Sequence, residues 1–250
     1  MDHHTHISLN YGHRTKTGAE EVFRAMDEAG VDQSIIIDLA SLYGGDYRAG
    51  NAEAAEISAR HPDRLMCFAY LHPPLHGIDE CLRHCDEAVK EMGHLGLKLH
   101  PVSDSHPANS REYVYPLMEK CRELGVPIFI HTGHAPHSGP ILLADLARRF
   151  PDVDIILGHI GHAMFADACY VGKKYSNIWI DTSMNHGGQL RNALAAVGPG
   201  RLLFGSDSPT SHPIGCKSLI ESLPIGREEK DMILGGNIRR LLGLEREAAS

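Results

Sequence analysis

The alternation of short apolar runs with longer amphipathic segments is the feature that most constrains the fold. The apolar runs recur about every 30 residues, as expected for repeated strand–helix units. Several are rich in Ile, Val and Phe without polar alternation, which is typical of parallel strands covered on both faces. The eight runs are residues 2–7, 34–39, 65–71, 95–100, 127–131, 153–159, 177–181 and 202–205.

Helix-like segments separate these runs. The first, residues 17–29, opens at Thr17 as an apparent cap and ends at Gly30, a typical helix terminator. Later segments lie at residues 51–60, 78–91, 111–124, 140–149, 165–174, 189–197, 216–222 and 228–242. Strands alternating with helices at this spacing predict an α/β fold, a (β/α)8 TIM barrel formed by residues 1–250 as a single domain. The alternative, a doubly wound open sheet, would need a glycine-rich phosphate loop after an early strand, and the sequence has none.

Composition excludes several other classes of protein. The chain has 250 residues, of which 42% are hydrophobic and 22% charged, close to ordinary globular usage. A net charge of −8 and the lack of aromatic–basic interleaving argue against nucleic-acid binding. With no apolar run of about 20 residues and a polar start, we expect no membrane span and a cytoplasmic protein. The six cysteines include no Cys-x-x-Cys pair, so we expect reduced, buried thiols.

Histidine is the unusual residue, because the chain contains 18 and several stand where predicted strands end. His4 and His6 alternate along the first run, so both side chains face the same side. Later runs end in Lys98, His100, His131, His159 and Asp207. The carboxyl ends of barrel strands meet at one face, where active sites lie. Imidazole nitrogens and carboxylate oxygens are ligands for zinc or a similar divalent ion, so the sequence predicts a metal site there.

The ordered set of motifs resembles the amidohydrolase superfamily. Within that superfamily it is most similar to the group of enzymes like aminocarboxymuconate-semialdehyde decarboxylase. The motifs span nearly the whole chain in the expected order. They are Asp2-x-His4-x-His6, residues 96–101, His131-Thr132-Gly133, the strand end at His159, residues 204–207 and residues 236–244.

The resemblance implies one divalent metal, with Zn²⁺ as the expected ion, bound by His4, His6, His131 and Asp207. His159 would stand beside it as a proton carrier, an electrostatic stabiliser or a ligand to a second metal. Lys98 would either be carbamylated and bridge two metals or anchor a substrate carboxylate as a free amine. We expect one metal rather than two.

Catalysis at such a site follows from the metal's effect on bound water, whose pKa zinc lowers to about 7. Asp207 would accept the proton of that water and return it to the leaving group, while the metal or His159 polarises the scissile bond. The first expectation is therefore a hydrolase of an amide, lactone or ester bond in a small, carboxylate-bearing molecule. The alternatives are non-oxidative decarboxylation at the same site, a lyase reaction, and a catalytically silent metal-binding barrel.

Substrate contacts are expected from side chains at or just beyond the strand ends. The candidates are Lys98, His134, His186, His100 and His72. Asp181 is expected to hydrogen-bond a ligand histidine, as metal sites usually require. The expected partner is a small molecule, with no nucleic acid and no membrane, and a homo-oligomer is compatible with the sequence.

Overall fold

The computed structural model describes residues 1–7, 17–38, 42 and 46–244 of the chain. Its strands, all paired in parallel, confirm the predicted runs in order. They are β1 (Asp2–Ile7), β2 (Ser34–Asp38), β3 (Leu65–Cys67), β4 (Ala69–Tyr70), β5 (Leu97–Leu99), β6 (Ile128–Ile130), β7 (Ile155–Leu157), β8 (Ile178–Asp181) and β9 (Leu202–Leu203). The predicted run 65–71 is divided between β3 and β4, and Leu39 lies outside the described residues.

The barrel closes where β1 meets the segment that follows β9. The N–H of His3 donates to the carbonyl of Phe204 at 3.0 Å, and the N–H of Asp207 donates to that of His4 at 2.7 Å. The N–H of His6 in turn donates to the carbonyl of Ser208 at 2.7 Å. Because β3 and β4 are two parts of one strand of the barrel, the nine segments count as eight strands. The bonds between β1 and residues 204–208 therefore complete the predicted eight-stranded TIM barrel.

Helices connect the strands, as predicted. They are α1 (Ala19–Ala29), α2 (Tyr47–Arg60), α3 (Pro73–His76), α4 (Ile78–Asp86), α5 (Val114–Leu124), α6 (Leu143–Arg149), α7 (Phe165–Lys174), α8 (Gly187–Val197), α9 (Pro213–Glu221), α10 (Arg227–Asp231) and α11 (Asn237–Leu241). Among the described residues, none of these helices is both long and apolar enough to cross a bilayer.

The helix ends follow ordinary capping chemistry, with one correction. Thr17 does not cap α1, because the N-cap position is Gly18, whereas Gly30 ends this helix in the left-handed conformation as expected. Helix α2 starts four residues earlier than its predicted start at residue 51. The Asp46 carboxylate caps it by accepting from the N–H groups of Arg48 and Ala49, which is the usual N-cap contact.

The core lies inside the ring of strands and between the strands and helices. On β2, Ile35, Ile36 and Ile37 are all fully buried, so both faces of this strand are covered. Burying such a side chain stabilises the fold by about 1.5–3 kcal/mol, which explains the uninterrupted apolar runs. Phe129 on β6 is also fully buried, and its ring centroid lies 4.5 Å from that of His4. The apolar interior therefore extends to the base of the histidine cluster.

Gly205 is required where the barrel closes. A Cβ at this position would lie 2.3 Å from Asp181 Oδ1 and 2.8 Å from the Cβ of His4. We expect Gly205→Ala to lower the free energy of unfolding by about 1–3 kcal/mol, because the barrel must shift to relieve the overlap. Urea denaturation measures the change. Gly188→Ala is the control, since a Cβ there meets nothing within 4 Å. Equal midpoints for the two variants would contradict this prediction.

Candidate metal centre and active site

Three of the predicted metal ligands converge at the carboxyl end of β1. The Nε2 atoms of His4 and His6 lie 3.0 Å apart. Asp207 Oδ1 is 3.2 Å from the Nε2 of His4 and 2.9 Å from that of His6. All three residues are buried, with Asp207 the most accessible at 9% exposed. Barrel closure explains the arrangement, because it pairs β1 with the segment that carries Asp207.

The hydrogen bonds of the Nδ1 atoms of His4 and His6 determine which nitrogen of each ring can bind a metal. The Nδ1 of His4 lies 3.2 Å from Asp181 Oδ2, and that of His6 lies 3.3 Å from the carbonyl oxygen of Ile37. Both oxygens only accept, so each ring donates from Nδ1, and a ring with one proton has its lone pair on Nε2. Two lone pairs and a carboxylate oxygen therefore face one another and repel unless they share a cation. Two imidazole nitrogens and one carboxylate oxygen fit a divalent metal.

His131 lies beside this group rather than within it. Its Nδ1 is 2.9 Å from the Nε2 of His159, and its Nε2 is 3.0 Å from the Nδ1 of His134. Its ring also stacks on His100, with 3.8 Å between centroids. His159 connects the two groups, because its ring centroid is 5.1 Å from that of His4. The structure thus brings all four predicted ligands into one cluster, with both His131 nitrogens in contact with other imidazoles.

His159 is held by both its backbone and its ring. Its N–H donates to Asp181 Oδ2 at 2.9 Å, and its Nδ1 is 2.8 Å from the Ser183 hydroxyl oxygen. Burial lowers the pKa of His159 well below its ordinary value, and the nearby His4 and Lys98 lower it further. The ring is therefore neutral at pH 7 and can accept a hydrogen bond through Nε2.

Asp181 is the fully buried carboxylate behind the cluster. It forms a hydrogen bond with the Nδ1 of His4, which is one of the histidines predicted as metal ligands. Burial opposes ionisation, but His3, His159 and the Ser183 hydroxyl outweigh it and hold the pKa of Asp181 below its ordinary value. Asp181 is therefore an anion that orients the surrounding side chains.

Lys98 brings a buried amine to the same face of the barrel. The residue is 1% exposed, and its Nζ lies 3.4 Å from the centroid of the Phe129 ring. Among the described residues this Nζ has no hydrogen-bond partner. Burial lowers the pKa of Lys98 to about 8, against the attraction of Asp207. An unpartnered buried amine is costly, which is consistent with a place for an anionic ligand.

The predicted substrate-contact histidines divide into two pairs. His100 and His134 lie at the cluster, since both touch His131. His72 is instead directed towards Asp104, with 3.4 Å between its Nε2 and Oδ1. His186 is exposed where α8 begins. Within the described residues, no hydrogen bond or ring contact joins the side chains of His72 and His186 to the cluster.

Sequence reasoning missed Ser183 and Asp104 as contributors to this region, and it left His162, just past a predicted strand end, outside the expected substrate contacts. Ser183 bridges Asp181 and His159, and its position two residues after Asp181 was the available signal. His162 stacks on His159 with 4.4 Å between centroids. Asp104 accepts a hydrogen bond from the Tyr70 hydroxyl at 2.7 Å, and burial raises its pKa to about 7. Asp104 lies in a loop, where no periodicity marks it.

Several residues of the centre have a left-handed backbone. The φ angles are 59° at His159, 46° at His162 and 61° at Asp207. Ile160, between the two histidines, has φ of 48°. Side chains other than glycine rarely adopt this region, and each such residue costs on the order of 1–3 kcal/mol. Such strain is concentrated at functional sites, which supports the location of this one.

Comparison with known proteins identifies relatives over most of the chain. The gamma-resorcylate decarboxylase of Polaromonas sp. strain JS666 is 23% identical, with 89% of this chain and 86% of that one covered. The 2-keto-4-carboxy-3-hexenedioate hydratase of Sphingobium sp. strain SYK-6 is 26% identical, with 87% of this chain and 80% of that one covered. The names of these two relatives describe a decarboxylase and a hydratase, which are lyases and not hydrolases.

A solved structure supports the same fold. It is a dihydroxybenzoic acid decarboxylase from Polaromonas sp. JS666 with bound manganese and the inhibitor 2-nitroresorcinol. Its TM-score is 0.75 at 20% identity, with 98% of each chain covered. The family model described as Amidohydrolase matches residues 1–244. Together with the decarboxylase relatives, this match shows that the chain belongs to the amidohydrolase superfamily, in the group like aminocarboxymuconate-semialdehyde decarboxylase.

Proposed function

We propose that this chain is a metal-dependent lyase that removes carbon dioxide from a small unsaturated or aromatic acid. One observation carries the proposal. Three buried acceptor atoms, on His4, His6 and Asp207, converge on the face of the barrel that also holds the unpartnered amine of Lys98. A cation and a carboxylate together would satisfy both groups. The decarboxylases and the hydratase among the relatives support a lyase rather than the hydrolase expected first.

The proposed centre holds one divalent ion between His4, His6 and Asp207. His131 is the fourth ligand expected from the family resemblance, and its ligation requires that one of its two imidazole contacts be given up. When bound, the ion would withdraw electron density from the substrate's oxygens. Imidazole ligands suit Zn²⁺, the ion expected from the sequence, whereas the solved relative carries manganese.

The side chains around the centre have separate roles in substrate binding and proton transfer. Lys98, as an ammonium, binds the substrate carboxylate as a point charge. Asp207 is 9% exposed whereas Asp181 is fully buried, so Asp207 is the carboxyl that a substrate can reach. Asp207 takes up one proton from solvent, passes it to the carbon that bears the carboxylate as the C–C bond breaks, and returns to its carboxylate form. The bonding electron pair stays on that carbon and carbon dioxide leaves. Neutral His159 accepts a hydrogen bond from the substrate through Nε2 when the 2.9 Å contact of that atom with the Nδ1 of His131 is given up.

Removal and return of the metal test the centre directly. A ligand that binds only the folded state at 100 times its Kd stabilises that state by about 2.7 kcal/mol. We therefore expect Zn²⁺ or Mn²⁺ to raise the Tm of the chelator-treated protein. We expect no rise in Asp207→Asn, because one of the three converging acceptors is weakened. His61→Gln, an exposed histidine, should respond like wild type. An equal rise in Asp207→Asn would remove these residues as ligands.

The products distinguish the candidate reactions. With a panel of small aromatic and unsaturated acids, we expect carbon dioxide release with uptake of one proton per turnover. His159→Asn should retain metal but lose on the order of 10²-fold in kcat, because substrate orientation and proton movement are impaired. Acid release from an amide, lactone or ester panel would instead identify a hydrolase. Turnover in neither panel would identify a silent metal-binding barrel.

Lys98 makes substrate binding dependent on pH. Its pKa is lowered to about 8, so the ammonium is present below that pH and is lost as the pH rises through it. We expect KM to rise about tenfold per pH unit above this point, while kcat changes less. Lys98→Met should show a raised KM at pH 7 that no longer responds to pH. Steady-state kinetics from pH 6 to 9.5 measure the profile, and a wild-type KM that is flat across it would exclude this role.

A further inference from the structure

Ser183 and Asp181 form a continuous hydrogen-bonded link between His4 and His159. Asp181 Oδ2 accepts from the Ser183 hydroxyl at 2.5 Å, and it lies 3.2 Å from the Nδ1 of His4. Its Oδ1 accepts from the N–H of Ser183 at 3.1 Å. Asp181 and Ser183 are fully buried, so no water competes for these bonds. One carboxylate therefore orients a proposed metal ligand and, through Ser183, the proposed catalytic histidine.

The single proton of the Ser183 hydroxyl determines the direction of this link. Asp181 accepts backbone N–H bonds on both oxygens, from His159 at Oδ2 and from Ser183 at Oδ1, so the hydroxyl 2.5 Å from Oδ2 points its proton to the carboxylate. The serine oxygen then faces the Nδ1 of His159 at 2.8 Å as an acceptor. A proton on that Nδ1 completes the bond. The opposite arrangement would place two acceptors against each other in a buried site, which is costly.

In this tautomer the unprotonated nitrogen of His159 is the one that faces the histidine cluster. With the proton on Nδ1, the lone pair lies on Nε2, which is 2.9 Å from the Nδ1 of His131. The backbone N–H of His159 is bound by the same Asp181 oxygen at 2.9 Å. Rotation of the ring would therefore break the bond to Ser183 while the backbone stays anchored.

We propose that Ser183 is a positioning residue that fixes His159 in the Nδ1–H tautomer, with Asp181 as the anion that orients the serine hydroxyl. This inference rests on the proposed function only in so far as His159 acts on the substrate through Nε2. The hydroxyl of Ser183 contacts His159 at 2.8 Å, Asp181 at 2.5 Å and the Nδ1 of His4 at 3.2 Å. Metal content is therefore measured beside turnover, because a loss through His4 would lower the metal content whereas a loss through His159 would not.

The first test is the tautomer itself in the wild-type protein. Two-bond ¹H–¹⁵N correlation spectra of ¹⁵N-histidine-labelled, metal-free protein distinguish a protonated Nδ1 from a protonated Nε2. The His159 signals are assigned by their loss in His159→Asn. We expect a single Nδ1–H form. A protonated Nε2 on His159 would overturn the proposal, and this measurement needs no variant of Ser183.

The second test compares Ser183→Ala with Ser183→Thr, which keeps the hydroxyl. We expect Ser183→Ala to lose the single Nδ1–H form and about 10- to 100-fold in kcat, with KM within about twofold and metal content unchanged. Ser183→Thr should restore both the tautomer and kcat. The control is Thr182→Val, which removes a neighbouring buried hydroxyl that donates to the Leu203 carbonyl at 3.0 Å. We expect this control to retain wild-type values.

The outcomes separate this inference from the proposed lyase activity. An unchanged tautomer and unchanged kcat in Ser183→Ala would overturn the positioning role. If the tautomer depends on Ser183 but the wild type releases no carbon dioxide from any acid, the lyase assignment fails and the control of His159 by Ser183 stands. If carbon dioxide is released but Ser183→Ala keeps wild-type spectra and rates, the lyase assignment stands alone.

Discussion

The backbone pairing that closes the barrel is the constraint on which the centre depends. Hydrogen bonds between β1 and residues 204–208 place His4 and His6 against Asp207, although about 200 positions separate them in the chain. Gly205 makes this approach possible, because a side chain there would overlap Asp181 and His4. The chemistry of the site therefore depends on a packing contact at a position with no functional group.

The same closure produces an arrangement that the protein alone does not neutralise. Two imidazole lone pairs and a carboxylate oxygen converge, while the amine of Lys98 is buried nearby without a hydrogen bond among the described residues. Each feature is unfavourable in isolation because buried polar groups lose their hydration. Together they define a site where one place suits a positive ion and another suits an anion. A carboxylate substrate with its metal would meet both.

The sequence predicted the barrel and most of the cluster because both depend on periodic patterns. Buried parallel strands read as apolar runs, and the residues that end them necessarily meet at one face of a closed sheet. His4, His6 and Asp207 were found in this way, and the structure brings them together. Strand ends alone could not show that His131 contacts His134 and His159, because side-chain orientation within a cluster depends on neighbours from several strands.

The residues that sequence reasoning missed act through contacts rather than through recognisable patterns. In the sequence no pattern distinguishes Ser183 from other serines. The structure shows that its hydroxyl lies between Asp181 and His159. Asp104 lies in the loop after β5, and its hydrogen-bond partner Tyr70 lies on β4. His72 and His186 stood at plausible positions along the chain, but their side chains lie apart from the cluster. Loop geometry decides such cases, and a single sequence does not encode it in a readable form.

The left-handed backbone at His159 and Asp207 has a consequence for how this molecule can change. Glycine would adopt those φ angles without steric cost, so replacing either residue by glycine would relax the main chain while removing the imidazole or the carboxylate. Selection for stability alone would therefore act against the two functional side chains. Two of the positions that a protein engineer would choose to relieve strain are therefore ones that the proposed activity requires, whereas Ile160 could be changed without loss of a functional group.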